Sequence, residues 1–202
     1  MQEFSAKHVL LKGGTVSFAT DTLFALACDA TNDEAIKQLF ALKKRPIEKT
    51  APILVASLEQ AQHYAYFNHT ALKLAKAFWP GALTLVLPVL ESTSLSHHTI
   101  RDRTIGLRIP KSELSLNLIK ECGVPILGTS ANIAGGPNLT TGEEIEAVFG
   151  NEVLVIKSEK NISGTASTIL KIVEDDVFLI REGSIKEDDI AQYLDDRKLQ
   201  KI

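Results

Sequence analysis

Cysteine is nearly absent: Cys28 and Cys122 are the only two among 202 residues. They fit neither a CxxC pair nor a zinc spacing, so neither a disulfide framework nor a zinc motif is expected, and two thiols suit a reducing, cytoplasmic setting. Aromatic residues make up 6% of the chain, too few for a dedicated surface that stacks RNA bases. Basic residues are not in excess; the formal charge is -3, so no global field gathers nucleic acid, and any anion must be held by a local cluster. No apolar run approaches the ~20 residues of a membrane span, and no N-terminal segment has the order of a signal peptide. The GxxxxGK[ST] phosphate loop and a strand-anchored GxGxxG are missing, as are HExxH and GxSxG, so the sequence predicts no protein-held metal. The five histidines (His8, His63, His69, His97, His98) form no pattern with a nucleophile, and His97-His98 reads as a solvated pair.

What is present alternates in pattern. Residues 4–12 read as a helix with Phe4, Val9 and Leu11 on its apolar side, ended by Gly13-Gly14. Residues 15–19 read as a strand and 23–28 as a buried apolar segment. Thr31-Asn32-Asp33-Glu34 reads as a capping box opening a helix that runs to Lys43. Residues 52–56 read as a strand covered on both faces, and Ser57-Leu58-Glu59-Gln60 as a second capping box. A helix over 70–78 and a strand over 83–89 follow, then a polar mobile loop over 91–103. Residues 104–109 form a strand carrying Arg108, 113–121 a helix, and 125–128 a buried strand. After a loop over 129–140, Thr141-Gly142-Glu143-Glu144 caps another helix. Strands over 153–156, 167–173 and 177–180 precede a short helix over 186–194, with Ile190, Ala191 and Leu194 inward. The alternation predicts an α/β fold with a covered, at least partly parallel sheet, in one domain.

Lys43-Lys44-Arg45-Pro46 stands at a helix exit, where Pro46 forbids continuation. Two readings stay open. Cations there complement the helix macrodipole, by about 0.3–1 kcal/mol each. Alternatively the turn offers the planar fork of Arg45 to a phosphate or carboxylate. Other polar clusters follow apolar strands: Thr20-Asp21-Thr22, Arg108 before Pro110, Thr129-Ser130-Ala131-Asn132 and Arg181-Glu182-Gly183. Any one reads as a turn or a cap. Together they offer hydroxyls, an amide and cations beyond strand carboxyl ends, where α/β sheets bind ligands.

These residues, in this order from about 13 to 185, resemble the YrdC-like family. The resemblance is carried by Phe18-Ala19-Thr20-Asp21-Thr22-Leu23-Phe24-Ala25-Leu26-Ala27, Lys43-Lys44-Arg45-Pro46, Lys49, and Phe78-Trp79-Pro80-Gly81-Ala82-Leu83-Thr84-Leu85-Val86-Leu87. It continues through Gly106-Leu107-Arg108-Ile109-Pro110, Ser130-Ala131-Asn132-Ile133-Ala134-Gly135, Ser167-Thr168 and Arg181-Glu182-Gly183. The chain departs from the family pattern at Phe18 and Phe24 (tyrosines), Ala19 (proline), and Ala25 and Ala27 (glycines). At this length it is expected to resemble the short members of the family, without the extra C-terminal domain of longer relatives.

The resemblance implies a twisted, partly parallel mixed sheet covered by helices, as a single YrdC-like domain over 1–202. It implies an L-threonylcarbamoyladenylate synthase: L-threonine, bicarbonate or CO2, and ATP give threonylcarbamoyl-AMP and pyrophosphate. A downstream tRNA-modifying transferase complex then uses the product beside the anticodon. By motif match, Lys43 and Arg45 take the ATP phosphates and carry the catalytic role. Ser130, Asn132 and Arg181 face the nucleotide, Thr104 is a further nucleotide-side residue, and Lys49 neutralises pyrophosphate. Thr22, Arg108 and Ser167 hold threonine, with Arg108 on its carboxylate. Mg2+ is expected with ATP, bound through the phosphates, and no organic cofactor. The alternatives are a non-catalytic RNA-binding module, with weak electrostatic tRNA binding at most, and a relative with a different small-molecule activity.

Overall fold

The computed structural model describes residues 2–157, 162–174, 176–194 and 199–201, with side chains from Ser5 onward. Phe4, expected on the apolar side of the first helix, thus has its side chain outside the described residues. Strands and helices alternate, as the periodicity predicts. Helix α1 (Gln2–Leu11) leads into β1 (Thr15–Ala19), β2 (Phe24–Asp29), α2 (Asp33–Leu42), β3 (Ile53–Leu54), α3 (Leu58–Gln62) and α4 (His69–Phe78). Then come β4 (Leu83–Pro88), β5 (Thr104–Arg108), α5 (Glu113–Cys122), β6 (Ile126–Ser130), α6 (Gly142–Phe149), β7 (Val153–Val155), β8 (Thr168–Val173), β9 (Asp176–Arg181), α7 (Glu187–Ala191) and β10 (Leu199–Lys201).

The described strands form one ten-stranded sheet in the order β10-β9-β8-β4-β5-β3-β6-β2-β1-β7. It is mixed: β1 runs antiparallel to β2 but parallel to β7, and β5 runs parallel to β3 but antiparallel to β4. Helices cover both faces, so β2 is apolar throughout. Phe24, Leu26 and Cys28 join Ile36, Leu39 and Phe40 of α2 in one cluster, while Ala25 and Ala27 join Leu10 of α1 and Leu118 of α5 in the other. A period of two with two apolar faces reads as a continuous run.

Several expectations need correcting. Thr31 is not a cap: its hydroxyl donates to Asp29 Oδ1, and Asn32 caps α2 by accepting from the amides of Glu34 and Ala35. Ser57 caps α3 through the Gln60 amide, but Gln60 Oε1 accepts from Ala56 N, so that box is only half made. The strand over 52–56 shrinks to Ile53–Leu54. The segment 91–103 is packed in its middle, where Leu95, Ser96 and Thr99 are buried and Ser96 N donates to Ala30 O. Ala191 is exposed, while Ile190 and Leu194 are buried. Only the Thr141 capping box is complete as read.

The end of α2 sets the directions in which its two neighbouring cations point. The Arg45 amide donates to Phe40 O and the Lys44 amide to Ala41 O. That is a Schellman motif, with Lys44 in the left-handed position usually given to glycine, at φ 50. The chain reverses there, and Lys43 and Arg45 leave in different directions.

Candidate functional site

A cavity of about 230 Å³ opens among the strands, and Thr22, Arg45, Arg108, Ser130, Ser167 and Arg181 all reach its wall. It does not lie simply beyond carboxyl ends. Arg108 and Arg181 end their strands, but Ala25 and Ile169 stand near the starts of theirs and Gly128 in the middle of β6. In a mixed sheet, neighbours bring opposite ends to one place.

Thr22 is delivered by a hydroxyl-closed turn. Thr20 Oγ1 accepts from the amides of Thr22 and Leu23 and donates to Leu23 O at 2.6 Å, which links β1 to β2 without glycine. Arg108 is 6% exposed, and its fork is largely spoken for. Nε donates to Gly81 O at 3.0 Å, Nη1 to Thr22 Oγ1 at 2.8 Å and Nη2 to Asp21 Oδ1 at 2.7 Å. Gly81 must be glycine, since a Cβ there would stand 2.5 Å from Phe78 O. Asp21 also accepts from Lys111 N at 2.9 Å. Motif matching assigns Asp21 no role; its signal in the sequence is a carboxylate flanked by two threonines.

Arg45 and Arg181 differ from Arg108. Arg45 Nε donates to Lys49 O at 3.0 Å, Nη2 to Thr50 O at 2.8 Å, and Nη1 to Thr129 Oγ1 at 3.4 Å. Its guanidinium stands 5.6 Å from the Phe40 ring centroid, a cation–π contact from the preceding helix. Arg181 donates twice to Ser167 O, from Nη2 at 2.8 Å and Nε at 3.2 Å. Among the described residues neither has an ion-pair partner. Burial, and then the charge of Arg181, lower the Arg45 pKa; burial lowers that of Arg181. For Arg108 burial lowers it and Asp21 opposes the shift. All three remain cations. Among the described residues only Asp21 bonds to them as an acid, and none of the lining residues is acidic, so the cavity wall carries an excess of positive charge.

Ser167 Oγ and Thr84 Oγ1 lie 2.9 Å apart, and Arg181 clasps the Ser167 carbonyl. This close approach depends on Gly183, where a Cβ would stand 2.1 Å from Ala166 O.

Four expected site residues lie off the cavity wall. Lys43 is 1% exposed, and its ammonium donates to Ser130 O, to Asn132 O at 2.8 Å and to Asn132 Oδ1 at 2.9 Å. Burial, and then Arg45, push its pKa down to about 8, so it is still protonated at neutral pH. Its side chain thus turns away from both the cavity wall and the α2 carbonyls, although its backbone is the C-cap of that helix, and it braces the 130–132 turn from beneath. Asn132 is consumed in that brace, taking Ser130 Oγ and Lys43 on Oδ1 and donating from Nδ2 to Gly136 O. Lys49 is exposed and contributes its carbonyl to Arg45. Thr104 begins β5, at the far end from Arg108, and gives its hydroxyl to Arg101 O. Thr20, Thr129 and Asn138 line the cavity in addition.

The family model for the Sua5, YciO and YrdC proteins, described as telomere recombination, matches residues 8–183. The chain belongs to this family. A threonylcarbamoyl-AMP synthase of Bacillus subtilis is 31% identical over 191 residues, covering 94% of this chain and 55% of that protein. One from Idiomarina loihiensis is 34% identical over 175 residues, covering 84% of this chain and 91% of that one. The crystal structure of Pyrococcus abyssi Sua5 complexed with L-threonine superposes with a TM-score of 0.89 at 31% identity, over 98% of this chain and 58% of that one. The chain thus spans little more than half of some longer family members. The mixed sheet flanked by helices is the family's fold. Among the described residues no helix is long and apolar enough to cross a membrane.

Proposed function

We propose that this chain makes threonylcarbamoyl-AMP from L-threonine, bicarbonate or CO2, and ATP, releasing pyrophosphate. The observation that carries the reading is the pair of arginines, Arg45 and Arg181, held at the cavity by carbonyl and hydroxyl oxygens with no carboxylate partner among the described residues. Such cations suit a polyanion. The reaction joins two anions: the threonine amine adds to CO2 and loses a proton, and the resulting N-carboxylate oxygen attacks the α-phosphorus as the bond to pyrophosphate breaks. No protein nucleophile is needed; positioning and charge stabilisation are.

In this reading Arg45 and Arg181 hold phosphate oxygens, and the Ser130 hydroxyl turns from Asn132 Oδ1 to an oxygen of the nucleotide or the carbamate. Thr22, Arg108 and Ser167 take threonine, with Arg108 using the N–H groups left over from Asp21, Thr22 and Gly81. Lys43 and Asn132 are positioning residues for Ser130. Thr104 and Lys49 have no part in it. The donor set of hydroxyls and arginines fits no protein-held cation, so Mg2+ would arrive on the ATP phosphates, and no step is assigned to it. The product is a reactive mixed anhydride, consumed by a transferase complex acting on tRNA.

The test is to incubate the protein with ATP, bicarbonate and labelled threonine. Pyrophosphate and a labelled adenylate should form together, each dependent on all three substrates. Pyrophosphate release that ignores threonine would overturn the substrate assignment and favour a different small-molecule activity on the same site.

A further inference from the structure

Away from the arginine cavity, the geometry points to a second site: Asp33, His97 and His98 form a cradle for one borderline divalent transition-metal ion of the zinc class. Asp33 opens α2. His97 and His98 come from a 3₁₀ turn (His97–Thr99), pinned by the Ser96 amide on Ala30 O and by Thr99 Oγ1 donating to Ser96 O. One ligand atom from each of the three residues lies within 4.8 Å of the others, and His97 Nδ1 stands 3.6 Å from Asp33 Oδ2. An ion with bonds of about 2.0–2.2 Å to imidazole nitrogen and carboxylate oxygen spaces its tetrahedral ligand atoms about 3.4 Å apart. One pair is already near that spacing, and the remaining ligand atoms would have to close by side-chain rotation.

A separate observation points to a ligand. His98 Nε2 is buried and has no hydrogen-bond partner among the described residues. A buried polar atom left without a partner is costly, and a metal ion supplies one. A hydrogen bond from Ser96 holds the Asp33 carboxyl below its usual range, and burial lowers the His98 pKa.

Two imidazoles and one carboxylate select Zn2+, Ni2+ or Co2+ over Mg2+, which demands oxygen ligands, and three protein ligands leave a fourth position for water. The occupied site would tie the segment after β4 to the start of α2. That segment also holds Arg101, whose Nη1 donates to Glu48 O at 2.6 Å, in the loop that follows Arg45. The ion would therefore steady the loop behind the cavity without entering it.

The test is calorimetric titration of the metal-free chain with Zn2+, with melting curves in Zn2+ and in Mg2+. One Zn2+ should bind per chain and raise the melting temperature, and Mg2+ should not. The His97→Ala/His98→Ala variant should lose about 100-fold or more in affinity for that equivalent. Asp33→Asn, which keeps both imidazoles, should weaken it by at least about tenfold. Metal-free melting of each variant near the wild-type temperature shows that the fold is intact, and Co2+ bound to the wild type should give the visible absorption of a tetrahedral nitrogen–oxygen site. No Zn2+ uptake by the wild type, or uptake unchanged in the double variant, would overturn the site.

Discussion

Arg108 gives Nη2 to Asp21 Oδ1 at 2.7 Å in a pair whose side chains are only 7% and 17% exposed. The arginine proposed to receive the substrate carboxylate is thus already neutralised from within. Replacing Asp21 with Asn should leave the Arg108 charge buried and unmatched. The expected cost is about 3 kcal/mol, read as a lower urea midpoint at unchanged slope. A midpoint within error of wild type would show the pair to be solvated.

Arg45→Ala removes a cation that pairs with no carboxylate among the described residues. Stability should fall by only about 1 kcal/mol, from the lost bonds to the carbonyls of Lys49 and Thr50. Pyrophosphate release should fall about 10²–10³-fold, as for one transition-state donor. Arg45→Lys should stay impaired, because a point charge cannot replace a fork. ATP should raise the melting temperature of the wild type and much less that of Arg45→Ala. Normal turnover in an early-melting Arg45→Ala would return this residue to a structural role.

Lys43 makes a pH prediction. Its pKa is about 8 in the folded chain, lowered by burial and then by Arg45, against the usual 10.5. Between those values the unfolded chain holds the extra proton, so folding releases it and stability rises with pH. The penalty is present in full below pH 8 and fades toward pH 10.5. Lys43→Met should be less stable by about 3 kcal/mol or more, since three oxygens each lose a charged donor. The gap to wild type should widen with pH across that window, by up to about 1.4 kcal/mol per unit. Urea titrations of both chains at several pH values read this, and a constant gap would contradict it.

Gly183→Ala places a Cβ 2.1 Å from Ala166 O, a contact with backbone that no rotamer relieves. The 181–185 segment must lift from Ser167. Stability should drop by about 1–3 kcal/mol. Activity should drop with it, since Arg181 and Ser167 move together; a rise in the KM for threonine in steady-state kinetics is the specific readout.

Local chemistry was legible where a residue's partner lies within a few positions. The run Thr15-Val16-Ser17-Phe18-Ala19 is a strand as read, and Thr141 with Glu144 closes its capping box. Thr22, Arg45, Arg108, Ser130, Ser167 and Arg181 reach one cavity, which their order along the chain could suggest but not arrange. The division between Lys43 and Arg45 was not legible. It depends on the left-handed Lys44 between them and on carbonyls of Ser130 and Asn132 far along the chain. The role of Asp21 within its cluster is not legible, because its partner Arg108 is supplied by another strand. Strand β10 carries no legible pattern: it has three residues at the sheet's edge, none of them buried.

The Schellman turn at the end of α2 makes that helix an indexing device. Lys43 points under the 130–132 turn and Arg45 into the cavity only because the helix stops at Leu42 and reverses at Lys44. One residue inserted between Asn32 and Lys43 would rotate the exit by about 100°. That exceeds what either side chain can follow, so brace and wall would be lost in the same step. Deletions and insertions in α2 should therefore abolish activity far more abruptly than any substitution on its solvent face, although the helix touches the cavity nowhere along its length.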